Sequence, residues 1–161
     1  MSKASQLLEL ARDRGIVIAL AESCTGGLIA GAITEVAGSS AIFDRGFVTY
    51  TNAAKMQMLG VLLDTLDDFG AVSEEVAREM AQGAFDNSDA QIALSVTGIA
   101  GPGGSEHKPE GRVCFGVATG DGMHTQTVEF GAIGRGGVRA ATVDHALGLL
   151  LAGVMQFPVR A

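Results

Sequence analysis

One arrangement constrains this chain more than any other: short apolar runs that end in glycine-bearing loops. Ile16–Ala21 (IVIALA) leads into Glu22-Ser23-Cys24-Thr25-Gly26-Gly27. Gln91–Thr97 (QIALSVT) leads into Gly98–Gly111, which holds Gly98, Gly101, Gly103, Gly104 and Gly111. A third glycine stretch, Gly131–Gly137, precedes the last apolar segment. Short apolar runs with β-branched residues read as buried strands. Tight turns out of such strands need glycine's positive φ, and in open α/β sheets ligands bind beyond the carboxyl ends of the strands. Glycine makes up 23 of 161 residues, about twice the usual 7%. The absence of a G-x-y period excludes collagen. Only 3 Pro, and glycines set among apolar residues, argue against a disordered linker.

The remaining segments follow from periodicity and caps. Leu7, Leu8, Leu10 and Ala11 have helical spacing, which predicts a helix over 4–14 stopped by Gly15. A small-residue helix is expected over 26–36 and a strand over Phe43–Thr51. Asn52 is expected to cap a helix through Leu59, stopped by Gly60. Ser73-Glu74-Glu75 opens a helix over 73–86, with a capping hydroxyl and carboxylates that suit the helix dipole. Strands over Arg112–Thr119 and Met123–Phe130 are expected to join through Asp121-Gly122, and a last helix is expected over 137–156. The order α-β-α-β-α-α-β-β-β-α predicts an α/β fold, a three-layer α/β/α domain with a mixed β-sheet, as one domain over 1–161.

Composition narrows the partners. The net charge is −7, with 11 Lys+Arg against 18 Asp+Glu. Phosphate contacts need basic side chains, so nucleic acid is not an expected partner. The two cysteines, Cys24 and Cys114, make no disulfide framework. The N-terminus lacks a signal-peptide core. The longest apolar run, Ala146–Met155, is about ten residues where a span needs about 20. A soluble, cytoplasmic protein without membrane contact is expected.

Ser23-Cys24-Thr25 falls where a strand meets a helix, which pairs a nucleophile with unsatisfied N–H groups. The three histidines have no acidic partner at a telling spacing, so neither a Ser-His-Asp triad nor a metal site is expected. Lys55, at the start of an Ala/Met/Leu-rich helix, is the candidate base, because burial disfavours a charged amine. Cys24 is the rival nucleophile, since helix N-termini lower thiol pKa values.

These motifs together resemble one family. Glu22-Ser23-Cys24-Thr25-Gly26-Gly27, Gly38-Ser39-Ser40, Gly46-Phe47-Val48-Thr49-Tyr50-Thr51-Asn52-x-x-Lys55, Gly70-Ala71-Val72-Ser73 and Thr97-Gly98-Ile99-Ala100-Gly101-Pro102 are similar, in order and spacing, to the CinA C-terminal domain family. Its characterised members are nicotinamide-nucleotide amidohydrolases. The resemblance spans about residues 4–156. It implies deamidation of nicotinamide mononucleotide to nicotinate mononucleotide and ammonia, with no cofactor and no metal. It also implies a homo-oligomer, with the dimer as the expected form, and the stand-alone version of the domain. Carried over, Ser23 is the nucleophile, Lys55 the base, and Ser40 a proton relay. Tyr50 lines the site and Thr97 contacts substrate, as do Thr25, Gly26, Gly27, Gly98 and Gly101. Either Arg135 or Arg139 holds the 5′-phosphate.

The chain departs from the family pattern in two loops. Gly101–Arg112 is one residue shorter than usual, with Glu110 and Arg112 where Val and Thr are commoner. Gly134-Arg135-Gly136-Gly137 replaces a more acidic stretch. Both fall beside the implied substrate, so a non-catalytic nucleotide-binding or protein-interaction module on the same scaffold stands as the alternative.

Overall fold

The computed structural model describes residues 1–161. In chain order the elements are α1 (Lys3–Arg14), β1 (Ile18–Glu22), α2 (Leu28–Thr34), a 3₁₀ turn (Ser39–Ala41), β2 (Phe43–Val48), α3 (Asn52–Leu59), α4 (Leu63–Phe69), α5 (Glu74–Asp86), β3 (Ile92–Gly98), β4 (Arg112–Thr119), β5 (Gly122–Glu129) and α6 (Arg135–Val154). The sheet order is β2-β1-β3-β4-β5. β1 runs parallel to β2 and β3, while β4 is antiparallel to both β3 and β5. The expected mixed sheet between helical layers is what forms.

The strands alternate large and small residues, and this divides the two layers. Ile18, Leu20, Ile92, Leu94 and Val96 face α1, α2 and α6 in one cluster with Leu7, Ile29 and Leu150. Ala19, Ala21 and Ala93 face the layer of α3, α4 and α5, where Val76, Met80, Ala81 and Ala84 pack. Small side chains let α5 sit close to the sheet. Ser95 donates its hydroxyl to the Ala77 carbonyl at 2.6 Å, and a β-carbon on Gly116 would lie 2.6 Å from that same oxygen.

Winding direction positions the site. From β1 the chain passes through α2 to β2 on one side. From β2 it passes through α3, α4 and α5 to β3 on the other side of β1. The connections diverge there, which opens a crevice at the carboxyl ends of β1 and β3. The turn at Ser23 and the loop beginning at Gly98 both start from it.

Several boundaries differ from expectation, each for a stated reason. β1 starts at Ile18 because Ile16 N–H is tied to the Ala11 carbonyl and Val17 N–H to the Gln91 side chain. β2 ends at Val48 because Thr51, and not Asn52, caps α3, its hydroxyl accepting from Ala54 N–H at 3.1 Å. The hairpin turn is Gly120-Asp121, with Gly122 already paired to Thr119. α4 was not expected at all. α6 begins at Arg135, two residues early. By length and composition alone α6 would suffice for a membrane span. Here its stripe of Val138, Ala146, Leu150 and Val154 is buried in the core, and its other faces carry Arg139, Asp144 and His145.

Candidate active site

Ser23 and Lys55 are 32 residues apart in sequence and meet through strand pairing. Glu22 lies opposite Val48 in the β1–β2 ladder, and Thr49 N–H extends it to the Glu22 carbonyl at 2.9 Å. Ser23 N–H bonds the Val96 carbonyl at 3.1 Å, so the serine is held from the β3 side. α3 begins just past Thr49 and Tyr50, and its first turn brings Lys55 back over Ser23. Lys55 is 2% exposed and Ser23 7%. The amine lies 3.0 Å from Ser23 Oγ, 3.0 Å from the Thr49 carbonyl and 3.3 Å from the Tyr50 carbonyl.

Lys55 forms no salt bridge with any carboxylate. Burial pushes its pKa below the ordinary 10.5, partly offset by Cys24 and Glu106. All three neighbours are oxygens. When the amine is neutral, two N–H groups donate to the Thr49 and Tyr50 carbonyls and the lone pair is left for the Ser23 hydroxyl. That is the arrangement a general base needs.

The Ser23–Gly27 turn is organised by Glu22, which sequence reasoning left without a role. This carboxylate is 1% exposed. It accepts from the Thr25 hydroxyl at 2.5 Å and from the Ile29 and Ala30 N–H groups at 2.9 Å each. The free N–H groups at the start of α2, expected to be available, are therefore occupied. Thr25 spends its hydroxyl on Glu22. Gly26 and Gly27 take positive φ of 58° and 106°, and Gly26 N–H closes back onto the Ser23 carbonyl at 3.0 Å. The N–H groups of Cys24, Thr25 and Gly27 pair with no other residue, and of the three residues only Cys24 borders the space over Ser23.

A cavity of about 170 Å³ opens over the pair, bounded by Tyr50, Thr97, Gly98 and Arg135. It adjoins a space of about 350 Å³ walled by the Gly98–Glu106 loop, Tyr50 and Arg135. Arg135 spans the two walls, donating to the Gly101 carbonyl at 2.7 Å and to the Tyr50 hydroxyl at 2.8 Å. Tyr50 is 57% exposed, a rim residue and not a buried one. Thr97 donates to the Ala71 carbonyl at 2.8 Å, which leaves its oxygen free to accept. Gly98 must lack a side chain, because a β-carbon there would lie 2.7 Å from Val113 and 3.1 Å from Cys24 Sγ.

The structure does not bring Ser40 to this site. Ser40 is exposed in the 3₁₀ turn that precedes β2, at the strand end where Ile18 pairs with Phe43. The length of β1 separates it from Ser23, so it cannot relay a proton there. Arg139 is also displaced from its expected role: it borders neither cavity and donates to the Cys24 and Thr25 carbonyls, at 3.2 Å each. Cys24 lines the cavity, but burial pushes its thiol up to about 11, so it stays protonated at neutral pH. His145 packs against Phe115 with ring centroids 4.7 Å apart and bonds Gln126. No histidine borders either cavity, and no three His, Cys, Asp or Glu side chains cluster at metal-binding range.

Two further residues shape the loop. Lys108 donates to the Phe69 and Val72 carbonyls, at 2.6 and 2.5 Å. Glu110 accepts from Gly103 N–H at 2.6 Å. Arg112 pairs with Glu129 across β4 and β5 at 2.6 Å. The unusual Glu110 and Arg112 thus have bonding partners of their own and leave the Ser23–Lys55 pair untouched.

The fold and site define a class: α/β/α proteins with a buried serine–lysine pair at the crevice of a mixed sheet. The CinA C-terminal domain model matches residues 1–154. The chain belongs to the CinA C-terminal domain family. It is 61% identical over 112 residues to the nicotinamide-nucleotide amidohydrolase PncC of Enterobacter agglomerans, covering 69% of this chain and 68% of that protein. It is 49% identical over 148 residues to the protein of that name from Escherichia coli K12, covering 91% of this chain and 90% of the relative. A competence/damage-inducible protein of Agrobacterium tumefaciens superposes with a TM-score of 0.87 at 49% identity, covering 94% and 96% of the two chains. Other relatives, named CinA-like or competence-damage inducible proteins, are longer, and the matched segment spans 27–29% of their length.

Proposed function

We propose that this chain hydrolyses the carboxamide of nicotinamide mononucleotide, with Ser23 as nucleophile and Lys55 as base. The observation that carries the chemistry is the buried amine, without a carboxylate partner, 3.0 Å from Ser23 Oγ. The substrate follows from the two relatives named as nicotinamide-nucleotide amidohydrolases, one of them matched over 90% of its length.

Neutral Lys55 takes the Ser23 proton as Oγ bonds the amide carbon, and the carbonyl oxygen becomes an oxyanion. Of the turn, Cys24 borders the cavity beside Ser23, and its N–H is the donor offered to that charge. Collapse breaks the carbon–nitrogen bond, and the Lys55 proton leaves with nitrogen as ammonia. Lys55 then takes a proton from water, whose oxygen attacks the acyl-serine. Ser23 recovers its proton and nicotinate mononucleotide departs. Arg135 at the rim suits the 5′-phosphate, exchanging its bonds to Tyr50 and Gly101 for two charge-assisted ones.

The test is ammonia release from nicotinamide mononucleotide. Ser23→Ala and Lys55→Ala should each lower kcat by about 10³-fold or more, as removal of a nucleophile or its base does elsewhere. Near-wild-type rates in both variants would discard the pair. A wild-type protein silent between about pH 6 and 9 would discard the activity.

A further inference from the structure

We infer that Glu106 selects for a cationic ring, so that the site takes a zwitterion, a pyridinium carboxamide with an anionic phosphate, in preference to an uncharged aromatic amide. The inference rests on the amidohydrolase reading above. In nicotinamide mononucleotide the ring nitrogen carries the ribose and is quaternary, so the ring is positive at every pH. The cavity over Ser23 and the space beside it share Tyr50, Ala71, Val72, Gly98, Ala100 and Arg135. Apart from the Lys55 amine, the charged side chains on their borders are two, Arg135 and Glu106. Arg135 suits the phosphate. Glu106 makes no salt bridge, so its charge is left for the ligand.

The carboxylate is held in place by its turn. Ser105 and Lys108 exchange N–H to carbonyl bonds at 3.0 and 2.8 Å. Glu106-His107 is thus a two-residue turn with both φ positive, at 52° and 64°. Such turns favour Asn-Gly, and a glutamate there costs backbone energy. Lys108 anchors the turn on the Phe69 and Val72 carbonyls. Glu106 Oε2 lies 2.5 Å from where a β-carbon on Gly70 would stand. The carboxylate is therefore set against the segment that continues as Ala71 and Val72 into the wall of both cavities. On its other side, a hollow of about 460 Å³ adds Asp67 and Asp68, and no cation but Lys108.

The field of Glu106 reaches the reacting end of the site. Glu106 and Cys24 raise the Lys55 pKa against the larger effect of burial, and Lys108 is not among the causes. The Lys55 amine is 3.0 Å from Ser23 Oγ, the atom that must meet the amide carbon. The ring bonded to that carbon therefore lies in the same field. Attraction of this kind needs no contact, and low-dielectric walls strengthen it. It favours a pyridinium and does nothing for a neutral ring.

The test is calorimetric binding in a Ser23→Ala background, where the amide survives. The ligands are nicotinamide mononucleotide and its benzamide analogue, the same ribotide on an uncharged ring. Adding Glu106→Gln should raise Kd for the first about fivefold, the upper end for one exposed charge pair, and leave the second within about twofold. The benzamide arm also shows that the variant is folded. Glu106→Asp keeps the charge and should stay closer to the parent than Glu106→Gln does. Equal changes for both ligands, no change for the cation, no binding of either, or an Asp variant as weak as Gln overturns the inference. With Ser23 restored, Glu106→Gln should move the acid limb of kcat/KM to lower pH, because the carboxylate no longer raises the Lys55 pKa. An unmoved limb overturns it as well. A wild type that releases no ammonia overturns the proposed function instead, and the binding comparison still decides the charge preference.

Discussion

The two glycine-bearing segments that leave β1 and β3 are built on opposite principles. The Ser23–Gly27 turn is short, with Ser23, Cys24 and Thr25 buried, and a buried carboxylate ties it to the start of α2 through three hydrogen bonds. The Gly98–Gly111 loop is long and largely exposed. Single side chains pin it: Lys108 onto the Phe69–Val72 segment, and Glu110 across its own neck at Gly103. Its tip even places Glu106 and His107 at positive φ, 52° and 64°, where glycine or asparagine is cheaper. A nucleophile has to be held within fractions of an ångström. A wall around a nucleotide has to follow its shape. The first segment should therefore govern kcat and global stability, and the second KM and local stability.

The strongest break of this contrast is Glu22→Ala. It would strand the Thr25 hydroxyl and two N–H groups in a buried place, at a cost of about 3 kcal/mol or more. Urea unfolding should show that loss, and kcat should fall with it. A stability within experimental error of wild type would mean that the turn is held by something else. Lys108→Met should do less. Removing two bonds from a half-buried amine costs about 1 kcal/mol, with KM raised severalfold and kcat nearly unchanged. A kcat loss there as deep as in Glu22→Ala would erase the distinction between the segments.

The smallest effect is a slope. Because burial holds the Lys55 pKa below 10.5 in the folded state, the unfolded chain binds the extra proton between the two values. Stability should accordingly rise with pH from the depressed folded pKa up to about 10.5, and be flat in this term below it. Lys55→Met removes the term, so its Tm should lack that rise relative to wild type. Parallel Tm curves across the range would show that Lys55 is not destabilised as a cation. The same depressed pKa predicts a kcat/KM that climbs with pH through it.

Much of the site was legible locally. Ser23 between an apolar run and two glycines, and Lys55 in an otherwise uncharged helix, both stand out within a window of a few residues. Glu22 could have been found by the same means, since a carboxylate at the end of a fully buried strand must have partners. α4 could not. Its first residue has no local side-chain cap. The capping carboxylate is Glu79 of α5, which accepts from Leu62 N–H at 2.8 Å and the Thr65 hydroxyl at 2.6 Å. A helix whose cap lies more than a dozen residues away leaves no signature at its own start.

The two arginines show the same limit more sharply. Arg135 and Arg139 are one helical turn apart and so share a face of α6. Nothing in their own neighbourhood says that one reaches the cavity rim while the other stops behind the turn. Ser40 is the converse case, a serine in the right motif at the wrong end of β1.

The residues by themselves determined the alternation of large and small side chains on β1 and β3, the glycine turns, and most helix caps. Each of these is chemistry between groups within about four positions of one another. Only the tertiary structure decided that Lys55 is buried and uncompensated against Ser23, that Ser40 is remote, and that Arg139 faces carbonyls. Those facts depend on parallel pairing of β1 with β2 and on the packing of α6. Distance and desolvation are properties of the assembled core, and they set both the amine's proton affinity and its reach to Ser23.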